Sequence, residues 1–290
     1  MIRKSLLFLL LWTAGTAPCF AIYAMLEANT VKEGGIIKIR IGNKYKIKAA
    51  DVNFLGKKYP AFYQGYDIKE YEYVYTAMLP VPLDTKGRQE VKIFYRLFNN
   101  WSSEEIEKVT IKKLKTVVSE LDTGGQLSKE MLAALRKENR VIAAAQKKVT
   151  AVKYKFPFIR PIEMDGKRIR ETTGFGKTRI YDGGAAKWRH KGIDIGAPKG
   201  TPVRASNNGR VMVAQYGKGH GNMVVIDHGG AIHSLYYHLD KIYVKKGQNV
   251  SKGDIIAAVG STGLSTGPHL HWQINLFKVP VNPIEFLTEF

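Results

Sequence analysis

Cysteine is almost missing from this 290-residue chain: Cys19 is the only one, and it lies in an N-terminal stretch that reads as a leader. Without that stretch no thiol remains. This excludes a disulfide framework and a thiolate site, so stability must rest on packing and, where side chains permit, on a metal. Acidic residues are also scarce, 25 against 45 lysines and arginines, for a formal charge of +20. Long apolar runs are confined to the start: Arg3 and Lys4 precede Leu6 to Trp12, and small residues follow from Ala14 to Ala21. The run is short for a bilayer span and fits a secretory signal over residues 1–21, cleaved after Ala21, with an uncleaved anchor as the alternative. No later stretch offers a second span. An exported product, periplasmic or extracellular, is therefore expected, with no stable membrane span after cleavage.

Beyond the leader stand 43 basic and 25 acidic side chains. Such a surplus favours polyanions through steering and counterion release. Export argues against nucleic acid and leaves anionic lipid headgroups or the carboxylates and phosphates of a bacterial wall. Simple solubilisation by lysine is the competing explanation.

The length exceeds the usual size of one domain. Residues 22–112 alternate in the β manner, as in Ile37-Lys38-Ile39-Arg40-Ile41, Tyr71 to Tyr75 and Val91 to Tyr95. Nine of the fifteen tyrosines fall in this stretch. With Gly34-Gly35, Gly42-Asn43 and Lys86-Gly87 as turns, a small antiparallel sandwich is expected. Tyrosine stripes on such strands can stack on sugars or cover a core. From Ser119 to Val149 the period becomes helical, with Met131, Leu135, Ile142 and Val149 recurring and Ser128 placed as an N-cap after Gly124-Gly125. A helical connector is expected over 113–150. Residues 151–290 return to short strands separated by glycines, predicted at 208–216, 222–228, 231–238, 241–246, 254–260 and 268–275. The fold class is mostly β, with antiparallel domains at both ends of the helix.

All seven histidines lie from His190 onward: His190, His220, His228, His233, His238, His269 and His271. Clustering of this kind points to metal or acid–base chemistry. In Pro268-His269-Leu270-His271-Trp272 the two histidines share one face of a strand, about 7 Å apart. His190-Lys191-Gly192-Ile193-Asp194 adds an imidazole and a carboxylate, with Gly192 allowing a tight turn between them. Together with one imidazole of the later pair they make two nitrogens and one oxygen, the three-ligand set of a catalytic zinc with an open fourth position. A loop hydrogen bond is the plainer explanation of His190 and Asp194 alone. No histidine is followed by glutamate, so the helical His-Glu-x-x-His design is excluded and the base must come from elsewhere. Neutral histidine is the natural candidate.

Four stretches, His190 to Ala205, Gly221 to Gly229, Leu235 to Leu239 and Gly260 to His271, resemble in order and spacing the lysostaphin/LytM-type zinc endopeptidases. The resemblance covers about residues 155–285. It implies a compact antiparallel β-fold with a groove over one Zn2+, held by His190, Asp194 and His271. It further implies that His238 and His269 are the unligated catalytic pair and that the substrate is a peptide bond in peptidoglycan. Thr173-Gly174-Phe175-Gly176 resembles the family's opening motif, except that Thr178 stands where a basic residue is usual, with Arg179 one further on. His220, His228 and His233 are expected outside the chemistry. The competing functions are a non-enzymatic regulator on the same fold, which activates another wall hydrolase, and a basic module that docks on an anionic envelope surface.

Overall fold

The computed structural model describes residues 22–70, 72–96, 102–115, 117–163 and 170–288; the predicted leader lies outside the described residues, as does Tyr71. The chain divides into two compact units, residues 1–113 and 114–290.

Among its described residues the first unit has nine strands. They are β1 (Ile22–Leu26), β2 (Thr30–Lys32), β3 (Ile36–Asn43), β4 (Ala49–Phe54), β5 (Lys57–Pro60), β6 (Phe62–Asp67), β7 (Glu72–Pro80), β8 (Gly87–Arg96) and β9 (Ser102–Lys112). They form a four-stranded sheet in the order β1-β3-β7-β6 and a five-stranded sheet in the order β2-β9-β8-β4-β5. Pairing is antiparallel except between β2 and β9, which run parallel. The alternation in β3 works as expected: Ile37, Ile39 and Ile41 are buried, while Lys38 and Arg40 reach outward. Val52, Phe54, Val91 and Ile93 of the other sheet are fully buried too.

The second unit contains a three-stranded sheet of β10 (Val118–Leu121), β12 (Thr178–Tyr181) and β13 (Ala186–Arg189), with β10 parallel to β12. Its larger sheet has ten strands. The main path runs β11 (Arg170–Thr173), β14 (Ile193–Gly196), β21 (His269–Leu276), β18 (Ile232–Ile242), β17 (Gly221–Gly229), β16 (Gly209–Gly217) and β19 (Asn249–Val250). Off that path, β15 (Pro202–Arg204) pairs with β20 (Ile255–Val259), and β22 (Val279–Val281) pairs with β21. Most predicted strands recur within a residue or two. The exception is 241–246: β18 continues through Ile242, and the residues after it turn.

One helix, α1 (Lys129–Ala145), is described. Ser128 caps it, accepting a hydrogen bond from the Met131 amide at 3.2 Å. It is shorter than the helical period of the sequence. Val118–Leu121 is captured as a strand by β12, because tertiary pairing outweighs local propensity. Gly124 and Gly125 take positive φ and turn the chain into the helix. Ile142 on the buried side of α1 packs with Val213, Met223, Val225, Leu235 and Tyr237, so the helix is part of the second unit's core.

Candidate functional site

β14 and β21 are hydrogen-bonded neighbours, and their register places Asp194 directly across from His271 and Gly196 across from His269. Side chains opposed across a strand pair share a face. The predicted carboxylate and the His-x-His pair are therefore brought together by strand pairing alone. His190 arrives from the turn between β13 and β14. Gly192 in that turn does not take a positive φ; its need is space, since a Cβ there would lie 2.4 Å from the Trp272 carbonyl and 2.8 Å from His271 Nε2.

The three predicted ligands converge. His190 Nε2 is 3.0 Å from both Asp194 Oδ1 and His271 Nδ1, and His271 Nδ1 is 2.9 Å from Asp194 Oδ1. All three residues are buried. The outward ring nitrogens decide what the inward ones carry. His190 Nδ1 lies 2.9 Å from the Gly174 carbonyl, which can only accept, so that nitrogen holds the proton and Nε2 presents a bare lone pair. His271 Nε2 likewise faces the Gln273 amide oxygen at 3.4 Å. Gln273 donates to Asn275 at 2.6 Å and Asn275 to Gln146 at 3.1 Å, and this relay orients the amides. Two imidazole lone pairs and a carboxylate oxygen then meet with no proton between them. Unsatisfied acceptors of this kind are costly when buried, and a cation relieves them. Bonds of about 2.0–2.2 Å from one ion to each donor fit a triangle of this size, and two nitrogens plus one oxygen suit zinc. Burial pulls the His271 imidazole down, only partly opposed by Asp194, so the ring stays neutral and fit to bind a metal.

His238 and His269 stand beside this centre, their rings 4.8 Å apart. His269 Nε2 is 4.0 Å from Asp194 Oδ1. Each ring gives its Nδ1 proton to a backbone carbonyl, His238 to Thr262 at 2.9 Å and His269 to Gly267 at 2.8 Å, which leaves Nε2 as the basic atom. Burial, reinforced by His269 and His271, holds His238 well below the ordinary histidine range. His238 reaches this place by breaking the strand: its φ is +62°, and the register of β18 on β17 shifts between Asn222 and Val224. The Asn222 amide bridges the Leu239 and Asp240 carbonyls at 3.1 and 2.9 Å and so stabilises the distortion. Both histidines line a groove with Leu121, Thr123, Tyr181 and Pro268.

Residues 188–283 match the model of peptidase family M23. The chain carries an M23 peptidase domain. It is 42% identical over 133 residues to the DD-carboxypeptidase/endopeptidase Mpg of Neisseria meningitidis, a stretch covering 41% of this chain and 31% of that protein. It is 40% identical over 114 residues to the peptidoglycan DD-endopeptidase ShyB of Vibrio cholerae, covering 39% of this chain and 27% of that one. The chain thus spans about a third or less of the length of these curated relatives. A Pseudomonas aeruginosa crystal structure described as an M23 peptidase candidate shares 24% identity and a TM-score of 0.61, over 89% of this chain and 95% of its own. At that identity the likeness speaks for the fold.

Supports of this cluster come from both inside and outside the matched residues, Glu138 and Arg179 lying outside them. Glu138 of α1 accepts the Gly219 and His220 amides at 2.9 and 2.8 Å. His220 stacks on Tyr237 at 4.2 Å between centroids, and Tyr237 stacks on His271 at 5.3 Å. Arg179 contacts Asp194 Oδ2. Sequence reasoning missed Glu138, Tyr237 and Gln273, since nothing in their local spacing announces a long-range contact. His228 is engaged by the Asn208 carbonyl and the Ser234 hydroxyl, both at 2.7 Å, and serves the core. His233 is buried, 3.7 Å from Asp227 and remote from the ligand cluster in hydrogen bonding.

Proposed function

We propose that the chain is an exported zinc-dependent endopeptidase that hydrolyses peptide bonds in the stem-peptide cross-links of bacterial peptidoglycan. The convergence of His190, Asp194 and His271, with His238 and His269 beside them, carries the reading. The printed activities of the Mpg and ShyB relatives support the substrate class. His190, Asp194 and His271 would hold the zinc, which when bound would supply Lewis acidity toward the scissile carbonyl and a water. The other steps belong to the chain. His190 and His271 hold their inward nitrogens deprotonated through the Gly174 and Gln273 acceptors. One Nε2 of the His238–His269 pair takes a proton from the attacking water, and the pair returns a proton to the leaving amine and steadies the charge on the former carbonyl oxygen. The low proton affinity of His238 keeps it in the basic form at neutral pH. The groove between the Leu121–Thr123 segment and the His269 strand accepts an extended peptide.

The leader-like first 21 residues support export. A non-enzymatic regulator would have no use for five convergent groups. The test is digestion of purified peptidoglycan of known cross-link type, with mass spectrometry of the released fragments and zinc measured on the same sample. We expect cleavage at a cross-link or stem peptide bond. His190→Ala and His271→Ala should lose metal and cleavage together. Intact wall after incubation with zinc-loaded protein would overturn the enzyme reading, and wall association that survives these changes and weakens with salt would favour the docking module.

A further inference from the structure

The two oxygens of Asp194 have different partners. Oδ1 faces both imidazoles, at 3.0 and 2.9 Å. Oδ2 is taken by Arg179 Nη2, in a contact whose side chains are 16% and 4% exposed. The position of Arg179 follows from strand geometry. On β12, Arg179 and Tyr181 line the groove while Thr178 is buried. A basic residue at 178 would point away, so in this chain only position 179 can reach the carboxylate. The backbone beneath it is fixed on both sides, since Arg179 pairs with Trp188 of β13 and with Ser119 of β10. A guanidinium mounted on a strand paired at both edges is a rigid clamp, not a wandering surface charge.

Resting on the zinc-site reading above, we propose that Arg179 is a positioning residue that holds Asp194 Oδ2, so that the carboxylate meets the metal through Oδ1 alone. The effect has a sign that separates it from simple electrostatics. A guanidinium beside a cation repels it, so charge alone predicts that removing Arg179 tightens zinc binding. Orientation predicts the reverse: partners that aim a ligand typically change metal affinity by about 10- to 100-fold. Lysine keeps the charge but lacks the planar fork, so it restores orientation only in part.

The experiment measures zinc affinity by competition with a chromophoric chelator in the wild-type chain, Arg179→Met and Arg179→Lys, with circular dichroism to establish that each is folded. We expect Arg179→Met to bind zinc about 10- to 100-fold more weakly, and Arg179→Lys to fall between it and wild type. Binding by folded Arg179→Met that equals or exceeds wild type overturns the proposal. Should Arg179→Met fail to fold, Arg179→Lys decides: weaker binding supports the clamp, and wild-type binding overturns it. A wild-type chain that binds no zinc overturns both this proposal and the metallopeptidase reading, whereas unchanged affinity in the variants removes the clamp alone.

Discussion

The two compact units divide the chemistry of the chain unevenly. Residues 22–113 hold 16 basic and 11 acidic side chains and no histidine, whereas residues 114–290 hold 27 basic, 14 acidic and all seven histidines. Most of the positive surplus therefore travels with the unit that holds the His190–Asp194–His271 cluster. Buried polarity divides the same way. The first unit buries Glu33, Asn43 and Glu72 among a core of isoleucine, valine and phenylalanine, while the second buries His190, Asp194, Asp227, His228, His233 and His271. Ionisable groups are expensive to bury, so their concentration marks the second unit as the one that holds the candidate site. His228 limits that lesson, since a histidine bonded on both nitrogens within the core is architecture.

The comparison can be broken at several points. The largest expected effect is on the catalytic side: His238→Ala should retain zinc while peptidoglycan cleavage falls by about 10²- to 10⁴-fold, as for loss of a general acid or base. Fragment release and metal content read on one sample check it, and retained hydrolysis would remove His238 from the mechanism. In the first unit, Ile39 is fully buried, and Ile39→Ala should cost about 2–5 kcal/mol in denaturant unfolding of that unit while zinc affinity stays unchanged. A parallel loss of zinc would show that the division of labour is wrong. His228 supplies a pH test. Burial lowers its folded pKa to about 4, against about 6.5 when unfolded. Between these values the unfolded chain binds the additional proton, so stability is full above about pH 6.5 and falls with acid, by up to about 1.4 kcal/mol per pH unit. Urea titrations from pH 7 to 4 should show this slope, and His228→Gln should flatten it. The smallest effect is at the helix start, where Ser128→Ala should cost about 1 kcal/mol of stability and leave the metal in place.

Much of the site was legible because its spacing is local. His-x-His on one strand face, and a histidine and aspartate four apart in a glycine-containing turn, need only the geometry of a few residues. Of the strands carrying them, β21 was legible in the alternating order of His269 to Leu276, whereas β14, which carries Asp194, was not among the predicted strands. The Ser128 cap was legible and the helix begins where it was expected, but the residues before the Gly124-Gly125 break were not: Val118–Leu121 pairs as a strand with β12. Val149, which continues the helical period, lies past the helix end and is 51% exposed. At His238 a bulge with positive φ overrides strand alternation, and no local pattern announces it.

By itself, the amino-acid order determined which donor atoms exist, which pairs share a strand face, and that about residues 155–285 resemble the lysostaphin/LytM-type endopeptidases. Only the tertiary structure decided that Asp194 lies across from His271, that the Gln273–Asn275–Gln146 relay fixes a tautomer, and that Arg179 takes the second carboxylate oxygen. The physical reason is separation along the chain. Backbone periodicity reaches a few residues, whereas these contacts join stretches brought together by strand pairing and helix packing, which no local pattern encodes.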